Sequence, residues 1–254
     1  MEKCTYFELY AGGAGAALEL LFSKSVNRIV LNDADYHIYS FWKSILNQTE
    51  DFIYLIYDTE INLDTWHLQR HIYENFNDFS VLEVGFSTFF LNRSNRSGIL
   101  TKAGPIGGFK QEGNYKIDAR FNKPNLIERI KKISNTRDQI EIYNRDTIDF
   151  ISSNLNRFNS ESIFMYLDPP YYNKGRSLYL NYYDPEDHAR LRNLLKEIRH
   201  LNWIVSYDDV PQIKELYRDF KTSKIELNYS LQKRRKATEF CIYSDNIKLN
   251  NKPS

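Results

Sequence analysis

Cysteine is nearly missing from this chain. Of 254 residues only Cys4 and Cys241 carry a thiol, and lying far apart they have no partner at metal-ligand spacing, which excludes a structural zinc site and points to a reducing cytoplasm. Net charge is missing too: 34 Lys and Arg stand against 33 Asp and Glu. The chain has no general field for a polyanion, so any nucleic-acid surface has to be local. No apolar run approaches the length of a membrane span, and the N-terminus lacks the charged-then-apolar pattern of a signal peptide. His67 and His71 are four apart without an evident third ligand, and they read as solvated surface histidines rather than a metal site. Glycine and proline are scarce, at 10 and 7. The places where they gather therefore carry information.

Two prolines gather after residues 163–167, Ile-Phe-Met-Tyr-Leu. Five apolar or aromatic residues stopped by an acid and two prolines read as a buried strand of a parallel sheet, opening into a rigid loop at its carboxyl end. Ligands bind at such ends. Pro169 and Pro170 donate no backbone hydrogen bond and have fixed φ, so neighbouring carbonyls are acceptors held in place. Asp168 adds a carboxylate and Tyr171 a flat face. These parts suit a planar ring bearing an amino group, although Asp-Pro-Pro-Tyr taken alone also reads as an ordinary turn.

The glycines gather first at residues 11–15. Residues 6–10 have strand composition, Ala11-Gly12-Gly13-Ala14-Gly15 a turn, and the stretch from Ala16 a helical period. Strand, glycine turn and helix is a nucleotide-binding opening, because glycine lets backbone approach a ligand and the helix N-terminus adds a positive end. The spacing is neither G-x-G-x-x-G nor a phosphate loop, which disfavours a dinucleotide or ATP. A second strand, 28–31, ends in Asn32-Asp33, where the acid is placed to accept from ribose hydroxyls. Strand 139–143 ends before Asp146, an acid suited to the amino group of a cofactor adenine.

The second glycine cluster lies in 85–113, with six of the ten. Across 86–117 five basic residues, Arg93, Arg96, Lys102, Lys110 and Lys116, face one acid, Glu112. Asn92, Ser94, Asn95 and Ser97 interleave with the arginines and suit phosphates and base edges. This composition predicts a loop-rich insertion beginning at Gly85, its first part anchored as a helix by Phe86, Phe89, Phe90 and Leu91. A solvated flexible loop has the same composition. Lys233-Arg234-Arg235-Lys236 is a basic turn between two predicted strands, 224–229 and 239–243, and is either a solvated face or a phosphate clamp. The tyrosines at 172, 179, 182 and 183 form a candidate lid. Further helices are predicted at 36–46, through much of 51–84, and at 126–133, 185–199 and 212–216, with a strand at 203–206. The rhythm is that of an α/β fold, a Rossmann-like sheet with helices on both faces. Its parts are 1–84, an insertion at 85–125, a second part at 126–245 and a polar tail at 246–254.

The order of these motifs carries a resemblance. Residues 8–15, Glu-Leu-Tyr-Ala-Gly-Gly-Ala-Gly, then Asn32-Asp33, then Phe90-Leu91-Asn92-Arg93, then Asp168-Pro169-Pro170-Tyr171 resemble the Dam-type DNA adenine-N6 methyltransferases over residues 6–243. The resemblance implies a site-specific, S-adenosylmethionine-dependent enzyme acting on a flipped adenine in duplex DNA. It implies that Tyr10, Ala11, Gly12, Gly13, Gly15, Asp33, Asp146 and Asp168 line the cofactor, with the glycines at its methionine portion, Asp33 at its ribose and Asp146 at its adenine. Asp168 and the Pro169 carbonyl would accept from the target amino group, Pro170 would complete the rigid loop, and Tyr171 would stack on the base. Asn92, Arg93, Arg96, Lys110, Lys233, Arg234, Arg235 and Lys236 would face DNA. Such relatives usually carry an aromatic-Pro/Ala-Gly-Gly-Lys segment before the first strand, and here only Met1 to Thr5 precede it. The expectations are a second chain that supplies the segment, an open and weak cofactor site, or a non-catalytic DNA-binding remnant. An RNA adenine methyltransferase is the alternative enzyme.

Overall fold

The computed structural model describes residues 4–160, 162–172, 183–229 and 235–249, without the side chains of 159, 160, 226–229 and 235–237. The chain divides into two compact units, Met1–Asp35 with Tyr143–Ser254, and Tyr36–Ile142.

The first unit begins with strand β1, Thr5–Glu8, then helix α1, Gly15–Phe22, and strand β2, Arg28–Asn32. The second unit supplies helices α2, Tyr36–Asn47, α3, Thr49–Asp58, α4, Leu63–Glu74, α5, Val81–Ser94, and α6, Lys123–Ser134. Strand β3, Ile140–Tyr143, returns the chain to the first unit at Tyr143. There follow α7, Thr147–Ser153, α8, Leu155–Ser160, β4, Ile163–Leu167, α9, Pro185–Glu197, β5, Trp203–Asp208, α10, Pro211–Leu216, β6, Lys221–Tyr229, and β7, Arg235–Tyr243.

The seven strands run in the order β3-β2-β1-β4-β5-β7-β6. β1 is parallel to β2 and to β4, β4 is parallel to β5, and β7 runs antiparallel between β5 and β6. This is a Rossmann-like sheet with one antiparallel strand, β7, set between β5 and β6. Chain order reverses direction between β1 and β4, which is where an open parallel sheet leaves a crevice at its carboxyl edge.

Alternation along the strands decides what faces what. Phe7 and Leu9, Met165 and Leu167, Val205 and Tyr207, and Phe240 and Ile242 share one buried cluster with Phe150, Ile151, Leu191 and Leu195 from α7 and α9. The intervening residues, Tyr6 and Glu8, Tyr166, Ser206 and Cys241, therefore belong to the opposite face. Asp184 starts α9 with a capping box, its carboxylate accepting from Asp187 N while the Asp187 carboxylate accepts from Asp184 N, which satisfies donors a helix start leaves unpaired.

In the second unit, Gly85 marks no change to loop. It lies inside α5, which Ser80 and Glu83 begin with a capping box. A Cβ at position 85 would stand 2.5 Å from the Ser40 carbonyl oxygen of α2. Glycine is there to let two helices touch, and sequence composition mistakes this for a breaker. The stretch 85–125 thus lies within a helical unit running from Tyr36 to Ile142. Beyond α5 the chain is irregular and pinned by side chains: Arg70 donates to the carbonyls of Leu100, Thr101 and Ala103 at 2.7, 3.0 and 3.0 Å, and Trp66 Nε1 to Asn95 Oδ1 at 2.7 Å. Strands β6 and β7 exceed their predicted lengths, so the backbone of Arg235 and Lys236 is strand, pairing with Tyr229 and Asn228. Lys233 and Arg234 lie outside the described residues, as do Tyr179 and Tyr182. No helix among the described residues is long and apolar enough to cross a membrane.

Candidate active site

Parallel pairing brings the predicted motifs of the first unit together. Glu8 pairs with Leu31 on one side and with Tyr166 on the other, so the ends of β1, β2 and β4 lie side by side. Immediately beyond them come the glycine turn, Asp33 and Asp168. Asn32, fully buried, ties the ends: its Nδ2 donates to the Arg145 carbonyl at 3.0 Å and the Leu9 carbonyl at 3.4 Å, while its Oδ1 accepts from Arg145 N at 3.2 Å.

The glycine turn is open. Gly12 takes φ +45°, and a Cβ at Gly12, Gly13 or Gly15 would meet nothing within 4 Å. Gly13 and Gly15 are exposed, and Ala11 is buried against the strand end. Asp33 clasps the turn, accepting from Gly12 N through Oδ2 at 2.8 Å and from Asp35 N through Oδ1 at 2.9 Å. Burial pushes the Asp33 carboxyl up to about 6 against these two donors. Ala14, in the left-handed region, caps α1 without any side-chain acceptor. Glu8 does that work from β1, its Oε2 accepting from Ala17 N at 2.8 Å. Burial pushes Glu8 up to about 7, the Ala17 N–H opposes this, and the nearby Asp168 adds to it. Glu8 opens the 8–15 motif without a role assigned to it there, and a lone acid within an apolar strand is the signal that could have singled it out.

Asp168 continues the Tyr166 side of β4. Its Oδ1 accepts from Ser206 Oγ of β5 at 3.0 Å, and that Oγ stands 2.8 Å from the Tyr166 hydroxyl. Asp168 is exposed as a residue, while its Oδ1 is tied down to Ser206. Burial raises it to about 6, the Ser206 hydroxyl opposes the rise, and Glu239 adds to it. Pro169 and Pro170 are buried and Tyr171 is half-buried. The loop is held beyond them by Asp208, whose Oδ1 accepts from Tyr172 N at 3.0 Å. Ser206 and Asp208 were not legible as site residues, since a strand serine and a strand-end acid are ordinary.

The remaining predicted cofactor residues flank this centre. Asp146 caps α7, its Oδ1 accepting from Ile148 N at 2.9 Å and Asp149 N at 3.1 Å, and it is exposed. Tyr10 is half-buried, with its hydroxyl 2.7 Å from that of Tyr183. Beside them stands His188, which the sequence reading also missed. It is buried, bonded through Nδ1 to the Tyr207 hydroxyl at 2.9 Å, with its ring 5.2 Å from Tyr172 and 5.4 Å from Tyr183. Burial lowers the His188 pKa, against the pull of Asp208, Asp187 and Asp184.

In the second unit Arg93 is half-buried at the end of α5 and donates to Asn92 Oδ1 at 2.8 Å, while Asn92 Nδ2 donates to the Gly98 carbonyl at 3.2 Å. Burial lowers the Arg93 pKa, and the neighbouring cations Arg120 and Arg129 lower it further. Arg120 stands beside Arg93, its Nε donating to the carbonyl of that residue at 3.3 Å. Arg96 and Lys110 are exposed. Near them Phe109, 58% exposed, lies 5.5 Å from the Trp66 ring.

Carboxylates with raised proton affinity at three adjacent strand ends, a rigid proline loop and an open glycine turn can hold a cationic cofactor against an amino-bearing base. A search of curated proteins found no match. Among solved structures, the rRNA methyltransferase AviRa from Streptomyces viridochromogenes is similar at 14% identity with a TM-score of 0.40, covering 95% of this chain and 76% of that one. The family model of the D12 class N6 adenine-specific DNA methyltransferases matches residues 2–231, and the chain belongs to that family.

Proposed function

We propose that the protein transfers a methyl group from S-adenosylmethionine to the N6 amino group of an adenine rotated out of duplex DNA. The single observation that supports this reading best is the meeting of Asp168, Asp33 and the glycine turn on three adjacent strand ends.

The residues present fit the cofactor. The open space at Gly12, Gly13 and Gly15 leaves their backbone free for a ligand to approach closely, and the carboxyls of Asp33 and Glu8, pushed up by burial, together with Asp168 at the next strand end, are groups that a sulfonium cation would favour in their charged form. Gly12, Gly13 and Gly15, with Tyr10 and Ala11, take the methionine portion, Asp33 the ribose and Asp146 the adenine. Bound there, S-adenosylmethionine supplies an already activated methyl group, so the protein's contribution is alignment.

Adenine's amino nitrogen is a poor nucleophile because its lone pair is delocalised into the ring. Asp168 and the Pro169 carbonyl accept its two N–H bonds and draw it towards tetrahedral geometry. Pro169 and Pro170 keep the acceptors from turning away, and Tyr171 stacks on the ring. Rotating the base out costs a few kcal/mol. Backbone contacts of Asn92, Arg93, Arg96 and Lys110, with residues 233–236, offset that cost. Residues 85–125 serve as the target-recognition part within the helical unit.

Two measurements test the reading. Asp168→Ala is expected to abolish methyl transfer to a duplex while leaving the melting temperature within about 2 °C, because the side chain sits at a strand tip outside the core; normal turnover would refute it. Calorimetry with the chain alone is expected to show S-adenosylmethionine binding with and without duplex DNA. Binding in neither condition would mean that a segment from elsewhere completes the site.

A further inference from the structure

On the sheet face opposite the main core, alternate residues of adjacent strands form a polar row at the carboxyl edge: Glu8 of β1, Tyr166 of β4 with Asp168 beyond it, Ser206 of β5 and Cys241 of β7. The register explains the row. Leu167 pairs with Val205, so the next step places Asp168 opposite Ser206, and Ser206 in turn pairs with Cys241. Ser206 is 1% exposed.

A serine hydroxyl has one proton. Ser206 uses it on Asp168 Oδ1 at 3.0 Å, so the Tyr166 hydroxyl, 2.8 Å away, has to donate into Ser206. Tyr166 keeps its proton, since burial first and the Asp168 charge second hold its pKa above the ordinary tyrosine value. The relay Tyr166, Ser206, Asp168 thus runs in one direction. It can satisfy one carboxylate oxygen as an acceptor, and it cannot take a proton from that oxygen.

We propose that Ser206, itself held by Tyr166, is the positioning residue for Asp168, binding one oxygen within the sheet so that the other is turned towards the target amino group. This rests on the reading that Asp168 accepts from that group. Among the described residues, Ser206 from β5 touches Asp168, and Glu8 from β1, Tyr166 from its own strand, and Glu239 and Cys241 from β7 are coupled to it by charge. Burial and Glu239 favour the protonated acid, while the Ser206 hydroxyl favours the anion. Removing that hydroxyl has two consequences: the carboxylate loses its orientation, and it takes up a proton at higher pH.

The experiment compares kcat, KM for S-adenosylmethionine and the pH profile of kcat/KM for wild type, S206A, S206T, Y166F and D168A on one duplex. For S206A we expect kcat to fall at least about tenfold, KM to change less than about twofold, and the acid limb to move up by about one pH unit, as loss of a charge-assisted hydrogen bond implies. S206T restores the hydroxyl and returns the limb towards wild type. Y166F moves it in the same direction by less. An unmoved acid limb with unchanged kcat in S206A, alongside an inactive D168A, would overturn the inference and leave the reading of Asp168 standing. An active D168A would overturn both. Should S206A fail to fold, the half-exposed Tyr166 decides: an unmoved limb in Y166F overturns the inference.

Discussion

Replacing Glu8 with glutamine should stabilise the protein above neutral pH and do nothing below pH 5. Glu8 is 7% exposed and its carboxyl is raised from an ordinary 4.5 to about 7. The folded chain therefore binds this proton more tightly than the unfolded chain does. The resulting stability is complete below pH 4.5 and is lost as the pH rises through 7. At about 1.4 kcal/mol per pH unit, ionising Glu8 in place costs on the order of 3 kcal/mol at pH 8. Glutamine keeps an oxygen for Ala17 N and carries no charge to desolvate. At about 2–4 °C per kcal/mol for a chain of this length, E8Q should melt roughly 6–12 °C above wild type at pH 8 and within about 3 °C of it at pH 5. Thermal unfolding followed by circular dichroism at the two pH values measures this. Equal melting temperatures at pH 8, or the same difference at both pH values, would refute the reasoning, because either result would mean that Glu8 is not held with raised proton affinity.

Three further expectations follow from named residues. Gly85→Ala should cost about 2–3 kcal/mol in urea unfolding, because its methyl group would meet backbone of α2 at 2.5 Å; a neutral variant would mean that the helices can separate freely. Asn32→Ala leaves the Arg145 carbonyl without its side-chain donor and Arg145 N without its acceptor, while the Leu9 carbonyl keeps the Thr147 hydroxyl at 2.9 Å, so stability should fall by about 2 kcal/mol and cofactor affinity should fall with it. Unaltered affinity would show that the strand ends hold without this tie. Replacing both exposed cations Arg96 and Lys110 with alanine should weaken duplex binding and reduce the log–log salt slope by about two, one for each phosphate that is no longer neutralised. An unchanged slope would place DNA elsewhere on the protein.

Much of this site could be read in one dimension, and the reason lies in locality. The glycine turn, Asp33 and Asp168 each follow directly on an apolar strand, so strand and loop appear together in a few consecutive residues. The β4 prediction, Ile163–Leu167, matches the structure at both ends, because Asp168 and the prolines stop it chemically. Gly85 misled because a glycine that breaks a helix and one that admits a neighbouring helix look alike until Ser40 is seen across from it. The insertion's irregular second half was legible, while its helical start at Val81 depends on a capping box that composition hides.

The sequence by itself determined the fold class, the order of motifs and the strand tips that bear acids, since alternation, prolines and glycines are local signals. Only the tertiary structure decided how those acids behave. Glu8 becomes the cap of α1, Asn32 the tie between strand ends, and Ser206 the partner of Asp168, through hydrogen bonds that span 9, 113 and 38 residues of chain. Those pairings depend on strand register and on water excluded from the strand ends, which exist only once the sheet has formed.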